Sequence, residues 1–268
     1  MKFVRRDLGE AGEVSSGGGI RGVLVETAKL SALGVALFAV LYFAIGWATG
    51  FVVSRLSVER ERAIFSVLSH PEFASRPPER LAPVWGRVEA VLEQLRSAPE
   101  VPALDYELYY QDHPVANAVA LPGGAIVLTR GLLEALADED NDMALAFVIG
   151  HELGHFAHRD HLRSFGRAAG MRFALFLFFG GDLEAITTNA TQLMMLHDSR
   201  ADESAADLFS IECLRTVRGS SAGAEEFFAS LLNEPQLPRW AYLFSTHPEL
   251  EERIRAISDQ TLPRTENR

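Results

Sequence analysis

Leu145-Ala146-Phe147-Val148-Ile149-Gly150-His151-Glu152-Leu153-Gly154-His155 is the stretch on which the fold turns. On an α-helix, residues four apart lie on one face, roughly 40° apart around the axis. His151 and His155 can therefore reach one metal ion, while Glu152 projects beside them toward a metal-bound water. This is the H-E-x-x-H arrangement, in which two histidines bind zinc and the glutamate is a general base. The apolar run from Leu145 to Ile149 makes the helix a buried one. Two imidazoles and a carboxylate are costly to bury without a partner, and a metal supplies one.

A catalytic zinc takes three protein ligands and keeps a fourth position for water, so two candidates compete for the third place. His161 fits the outer spacing H-E-x-x-H-x-x-G-x-x-H, but His158 stands where that pattern needs a helix-ending glycine. If the helix continues, His161 points roughly 80° from His151 and 120° from His155. The second candidate lies in Arg200-Ala201-Asp202-Glu203-Ser204-Ala205-Ala206-Asp207, which reads as a helix with Glu203 and Asp207 on one face. Glu203 would complete a His-His-Glu set, and Asp207, one turn on, could accept the free imidazole N–H of a ligand histidine. The reading favours Glu203 over His161, against the plainer possibility of a solvated acidic helix face.

Four blocks, in order, resemble the M48 family of metallopeptidases, nearest its Oma1-like and heat-shock quality-control branches. They are Asn117-Ala118-Val119-Ala120-Leu121-Pro122-Gly123-Gly124 running on to Thr129-Arg130-Gly131-Leu132-Leu133; Val148 to His161; Arg200 to Asp207; and Thr246-His247-Pro248 followed by Arg253-Ile254. The resemblance implies one zinc per chain held by His151, His155 and Glu203, with Glu152 as general base and Asp207 supporting a ligand histidine. It places His247 near the substrate carbonyl and gives Arg200 a part in organising the ligand helix. The fold it implies is α+β and mainly helical: a zincin-like metallopeptidase domain with an active-site helix and a small sheet.

Asn117 to Leu121 and Ala125 to Leu128 are β-compatible runs around Pro122-Gly123-Gly124, whose glycines can take positive φ. Zincin-like folds run an edge strand along the cleft. Asn117, Ala118, Val119, Ala120, Gly123 and Gly124 are accordingly the expected peptide-binding residues, since an extended substrate can add to such a strand through its main chain.

No charge occurs between Lys29 and Arg55, and Leu30 to Val53 is almost continuously apolar. About twenty such residues cross a bilayer, and a secretory signal would be shorter. The expectation is an uncleaved single span, residues 29–54, after a tail, residues 1–28, that is flexible through Ser15-Ser16-Gly17-Gly18-Gly19. Lys2, Arg5, Arg6, Arg21 and Lys29 precede the span and Arg55, Arg60 and Arg62 follow closely, so the charges nearest to it are nearly balanced. The reading is a cell-membrane protein with its N-terminus in the cytoplasm and its catalytic domain outside.

A juxtamembrane helical segment, residues 55–98, follows: a charged amphipathic helix over Val58–Leu68, a break at Arg76-Pro77-Pro78 and a second helix over Leu81–Leu95. The peptidase domain is expected over 99–262, with a strand in Leu104–Tyr110, and 263–268 form a short tail. Met171 to Gly181 is apolar but too short to span a bilayer, and reads as a core helix. A net charge of −11 argues against nucleic-acid binding. The lone Cys213 excludes an internal disulfide or a cysteine-rich zinc site and reads as a core residue. The function read from the chain is thus a membrane-anchored zinc endopeptidase acting on protein or peptide substrates. Its rivals are a non-catalytic scaffold with structural zinc and a protease using His161 as third ligand.

Overall fold

A computed structural model describes residues 20–66, 70, 72–137, 142–179 and 200–219, and the chain divides into two units, Met1–Ile45 and Gly46–Arg268. Helix α1 (Ile20–Arg55) is 36 residues long, roughly 54 Å at 1.5 Å per residue, against about 30 Å of bilayer hydrocarbon. It starts nine residues before the expected span, and its segment Gly22–Arg55 is long and apolar enough to cross a membrane. Leu33, Phe43 and Trp47 are among its many exposed apolar side chains.

α2 (Val58–Phe65) is capped by the Ser57 hydroxyl, which accepts from the Arg60 N–H. After the Arg76-Pro77-Pro78 break a 3₁₀ turn, Glu79–Leu81, leads into α3 (Ala82–Leu95). Its buried residues Val84, Trp85, Val88, Val91, Leu92 and Leu95 recur at helical spacing and join the same core as α5 (Met143–His158). Around α5 every residue from Ala144 to Phe156 is buried. A helix apolar on all sides belongs at the centre of a domain, so the site residues it carries are inside as well.

The sheet has three described strands in the order β1 (Glu107–Gln111), β3 (Ala125–Thr129), β2 (Ala118–Leu121). β1 runs parallel to β3 and β2 antiparallel to it. β3, all five residues buried, is therefore central. Gly123 and Gly124 make the β2–β3 turn with φ of 91° and 102°, the positive values expected of them. Thr129 pins the approach to β2: its hydroxyl accepts from the Asn117 N–H at 2.8 Å and lies 2.8 Å from the Val115 carbonyl. Beyond β3, α4 (Arg130–Ala137) buries Leu132, Leu133 and Leu136 in the core.

α7 (Arg200–Arg218) packs against α5. A β-carbon on Gly154 would sit 2.8 Å from the Ala206 Cα, and one on Gly150 would sit 2.4 Å from the Ser210 hydroxyl. That hydroxyl donates to the Phe147 carbonyl at 2.9 Å. Cys213, further along α7, is a buried core residue as expected, and burial pushes its thiol up to about 12. α6 (Asp160–Phe179) follows α5 after a single residue. It covers the Met171 run as helix through Phe179, with Ala174 buried and Phe173 exposed, while Gly180 and Gly181 lie outside the described residues.

These contacts separate two glycines that look alike in the sequence. Gly154→Ala should cost about 1–3 kcal/mol by overpacking, whereas Gly86→Ala, in open space on α3, should gain up to about 1 kcal/mol from helix propensity. Denaturant unfolding of both variants checks this. Equal stability would mean that α5 and α7 do not approach as described.

Candidate metal centre

His151, Glu152 and His155 stand on the inward face of α5, and Glu203 and Asp207 face them from α7; all five are buried. Ligand atoms of His151, His155 and Glu203 lie within 4.8 Å of one another. The His151 and His155 Nε2 atoms are 3.1 Å apart. Glu203 places one carboxylate oxygen 3.5 Å from the first and the other 3.8 Å from the second. Bonds of 2.0–2.1 Å arranged tetrahedrally around zinc put neighbouring ligand atoms about 3.3–3.4 Å apart, close to these spacings.

Hydrogen bonding on the far side of each ring fits the same use. The Asp207 carboxylate is 2.9 Å from His151 Nδ1, and the Asp160 carboxylate is 3.0 Å from His155 Nδ1. A carboxylate accepts, so each Nδ1 carries its hydrogen and each Nε2 turns a lone pair to the centre. Two lone pairs and a carboxylate facing one another repel unless a positive charge sits among them. Burial works against protonating His151, yet hydrogen bonds to Asp207 and Glu203 outweigh it and push the imidazole up to about 10. His155 is raised too, Asp160 prevailing over burial and over the neighbouring His151. The group could hold a cation.

Glu152 is different. Both of its carboxylate oxygens are buried and lack a hydrogen-bond partner among the described residues. An unpaired buried carboxylate is costly, and its position beside the imidazoles leaves it able to take up a proton from a water held there.

Sequence reading missed two members of this cluster. Asp160 had no signal beyond its place five residues after His155, because a chain break in the helix has to bring it back. That break is at Arg159, a non-glycine residue with φ 63°, whose strain of about 1–2 kcal/mol is offset by guanidinium hydrogen bonds to the Val53 and Leu56 carbonyls. Arg163 was missed as well: it bonds Asp160 on one side and Asp202, next to Glu203, at 3.1 Å on the other. It thus ties the carboxylate that holds His155 to the helix that carries Glu203.

The helix does end near His158, but His161 still does not turn to the metal group. Its Nδ1 lies 3.1 Å from the His155 carbonyl and its Nε2 2.8 Å from Glu61. β2 packs beside α5 and is an outer strand of the described sheet. The Thr129 N–H donates to the Asn117 carbonyl, which fixes the phase: Ala118 and Ala120 direct their backbone groups away from β3. Gly123 and Gly124 are not brought to the metal group; they pack on Phe65 and Asp105. Arg200 is the first residue of α7. Thr246, His247, Pro248, Arg253 and Ile254 lie outside the described residues.

Comparison with known proteins agrees with this geometry. Residues 85–261, about two-thirds of the chain, match Peptidase family M48. The chain is 26% identical over 208 residues to the mitochondrial metalloendopeptidase OMA1 of Danio rerio, an alignment covering 66% of this chain and 39% of that one. It is 27% identical over 274 residues to the protease HtpX homolog of Salinibacter ruber, covering 87% and 96%. The protease HtpX homolog of Acidiphilium cryptum gives 27% over 281 residues, covering 86% and 94%. The match thus spans under two-fifths of the OMA1 relative and nearly all of the HtpX homologs. With a family match over most of its length, the chain belongs to peptidase family M48.

Proposed function

We propose that the chain is a membrane-anchored, zinc-dependent endopeptidase with one zinc held by His151, His155 and Glu203. The observation that carries this is the buried group of three side chains able to ligate a metal, beside a carboxylate, Glu152, that has no hydrogen-bond partner among the described residues. Zinc bound there would supply Lewis acidity, lowering the pKa of water and polarising a carbonyl oxygen. Asp207 and Asp160 keep His151 and His155 in the tautomer that presents Nε2. Glu152 takes a proton from the attacking water and returns it to the leaving amine nitrogen. His247 donates a hydrogen bond to the carbonyl oxygen as negative charge develops, and Arg200 steadies the start of the Glu203 helix. The substrate lies extended beside β2, paired with the outward backbone groups of Ala118 and Ala120.

α1 supports the anchoring part of the reading through its length and apolar character. The proposed topology keeps the catalytic domain on the extracytoplasmic side of the cell membrane. Damaged or misassembled membrane-proximal proteins are the proposed substrates, in keeping with quality control. A scaffold with structural zinc has no use for a buried glutamate that lacks a partner among the described residues, which favours the enzyme.

Glu152→Gln keeps shape and volume but cannot accept the proton. Peptide hydrolysis should fall by about 10²–10⁴-fold, while metal analysis of the purified chain finds zinc unchanged. Undiminished hydrolysis would refute the mechanism.

The raised imidazoles give a second expectation. In the metal-free chain the contribution of protonated His151 to stability is fully present below about 6.5, its unfolded value, and is lost as pH rises through about 10. Zinc requires the neutral ring, so at pH 8 its binding should release about one proton or more, and affinity should strengthen with rising pH. Calorimetry in two buffers of different ionisation enthalpy measures the release; identical heats in both would contradict it.

A further inference from the structure

Among the described residues, the buried carboxylates are Glu61, Glu152, Asp160, Glu203 and Asp207, and the buried imidazoles are His151, His155 and His161. Four of those carboxylates lie on or beside the ligand helices. Glu61 does not. It sits on α2, one hundred residues from the histidine it meets, and is the buried residue of an otherwise charged helix. Its carboxylate lies 2.8 Å from His161 Nε2, and His161 Nδ1 lies 3.1 Å from the carbonyl of His155.

That carbonyl also accepts the backbone N–H of Arg159, the C-cap residue of α5. His161 therefore adds a side-chain contact at the backbone of His155, while the adjacent Asp160 holds the same residue by its ring. Backbone and side chain of His155 are fixed by consecutive residues, and the direction of the His161 ring is fixed by Glu61. The ring also packs on Phe156, centroid to centroid 4.6 Å. Two residues earlier, Arg159 grips the Val53 and Leu56 carbonyls. The stretch 53–61 is thus fastened to the end of the ligand helix at two points. A buried ion pair is a poor source of net stability, since apolar residues of similar volume often do as well or better. Its value lies in direction.

We infer that Glu61 is a positioning residue for the metal centre, orienting His155 through His161. The inference rests on the zinc reading above. Glu61→Leu in the full chain, in detergent, should weaken zinc about ten-fold by chelator competition, at the lower end of the loss seen for residues that touch a ligand directly. It should also shift the visible absorption of the cobalt(II)-substituted chain. Glu61→Gln, which still accepts the His161 hydrogen bond, should restore affinity to within about three-fold. If Glu61→Leu fails to fold, the double variant Glu61→Leu/His161→Phe replaces the pair with apolar residues, and should fold yet show the same weakened zinc and shifted spectrum. Wild-type zinc affinity and cobalt spectrum in a folded variant would overturn the positioning role, whatever the thermal stability. A wild-type chain that binds no stoichiometric zinc would overturn the functional reading and this inference together.

Discussion

The backbones of α5 and α7 meet where Gly154 faces Ala206, and the proposed metal centre depends on that approach. One helix carries two imidazoles and the other a carboxylate. Spacings of 3.1–3.8 Å between their ligand atoms are reached only because neither helix interposes a side chain. Gly150 against Ser210 repeats the device one turn away. Helix propensity alone would replace both glycines with alanine; packing forbids it.

Close packing brings an electrostatic problem. Glu203, Asp207, Asp160 and Glu152 converge on two imidazoles in a space with almost no exposure, and such a concentration of negative charge is sustained only by cations within it. Arg163 contributes at the rim, between Asp160 and Asp202, and hydrogen bonds to Asp207 and Glu203 drive His151 toward protonation. The same field that raises the imidazoles favours a divalent ion. Glu152 has no hydrogen-bond partner among the described residues, as the proposed proton exchange requires.

Much of this was legible from residue spacing. H-E-x-x-H defined a helix and its inward face, the glycines after Pro122 marked the hairpin, and Glu203 with Asp207 marked the partner helix. What escaped were features that need the third dimension. Asp160 returns to His155 only because Arg159 leaves the helix in a left-handed conformation usually supplied by glycine or asparagine, and no local rule announces an arginine there. Glu61 looked like one charge among several on an amphipathic segment, because its partner is distant in sequence. α3 falls in the juxtamembrane segment of the sequence reading, yet its apolar face shares the α5 core. Gly150 and Gly154 resemble tolerated helix-weakening residues until the opposite backbone is placed.

The most direct test of the proposed centre is zinc-edge anomalous diffraction from crystals of the zinc-loaded chain. The account predicts a single peak about 2.0–2.2 Å from His151 Nε2, His155 Nε2 and a carboxylate oxygen of Glu203. A peak bonded to His161 in place of Glu203, or to none of these residues, would contradict it.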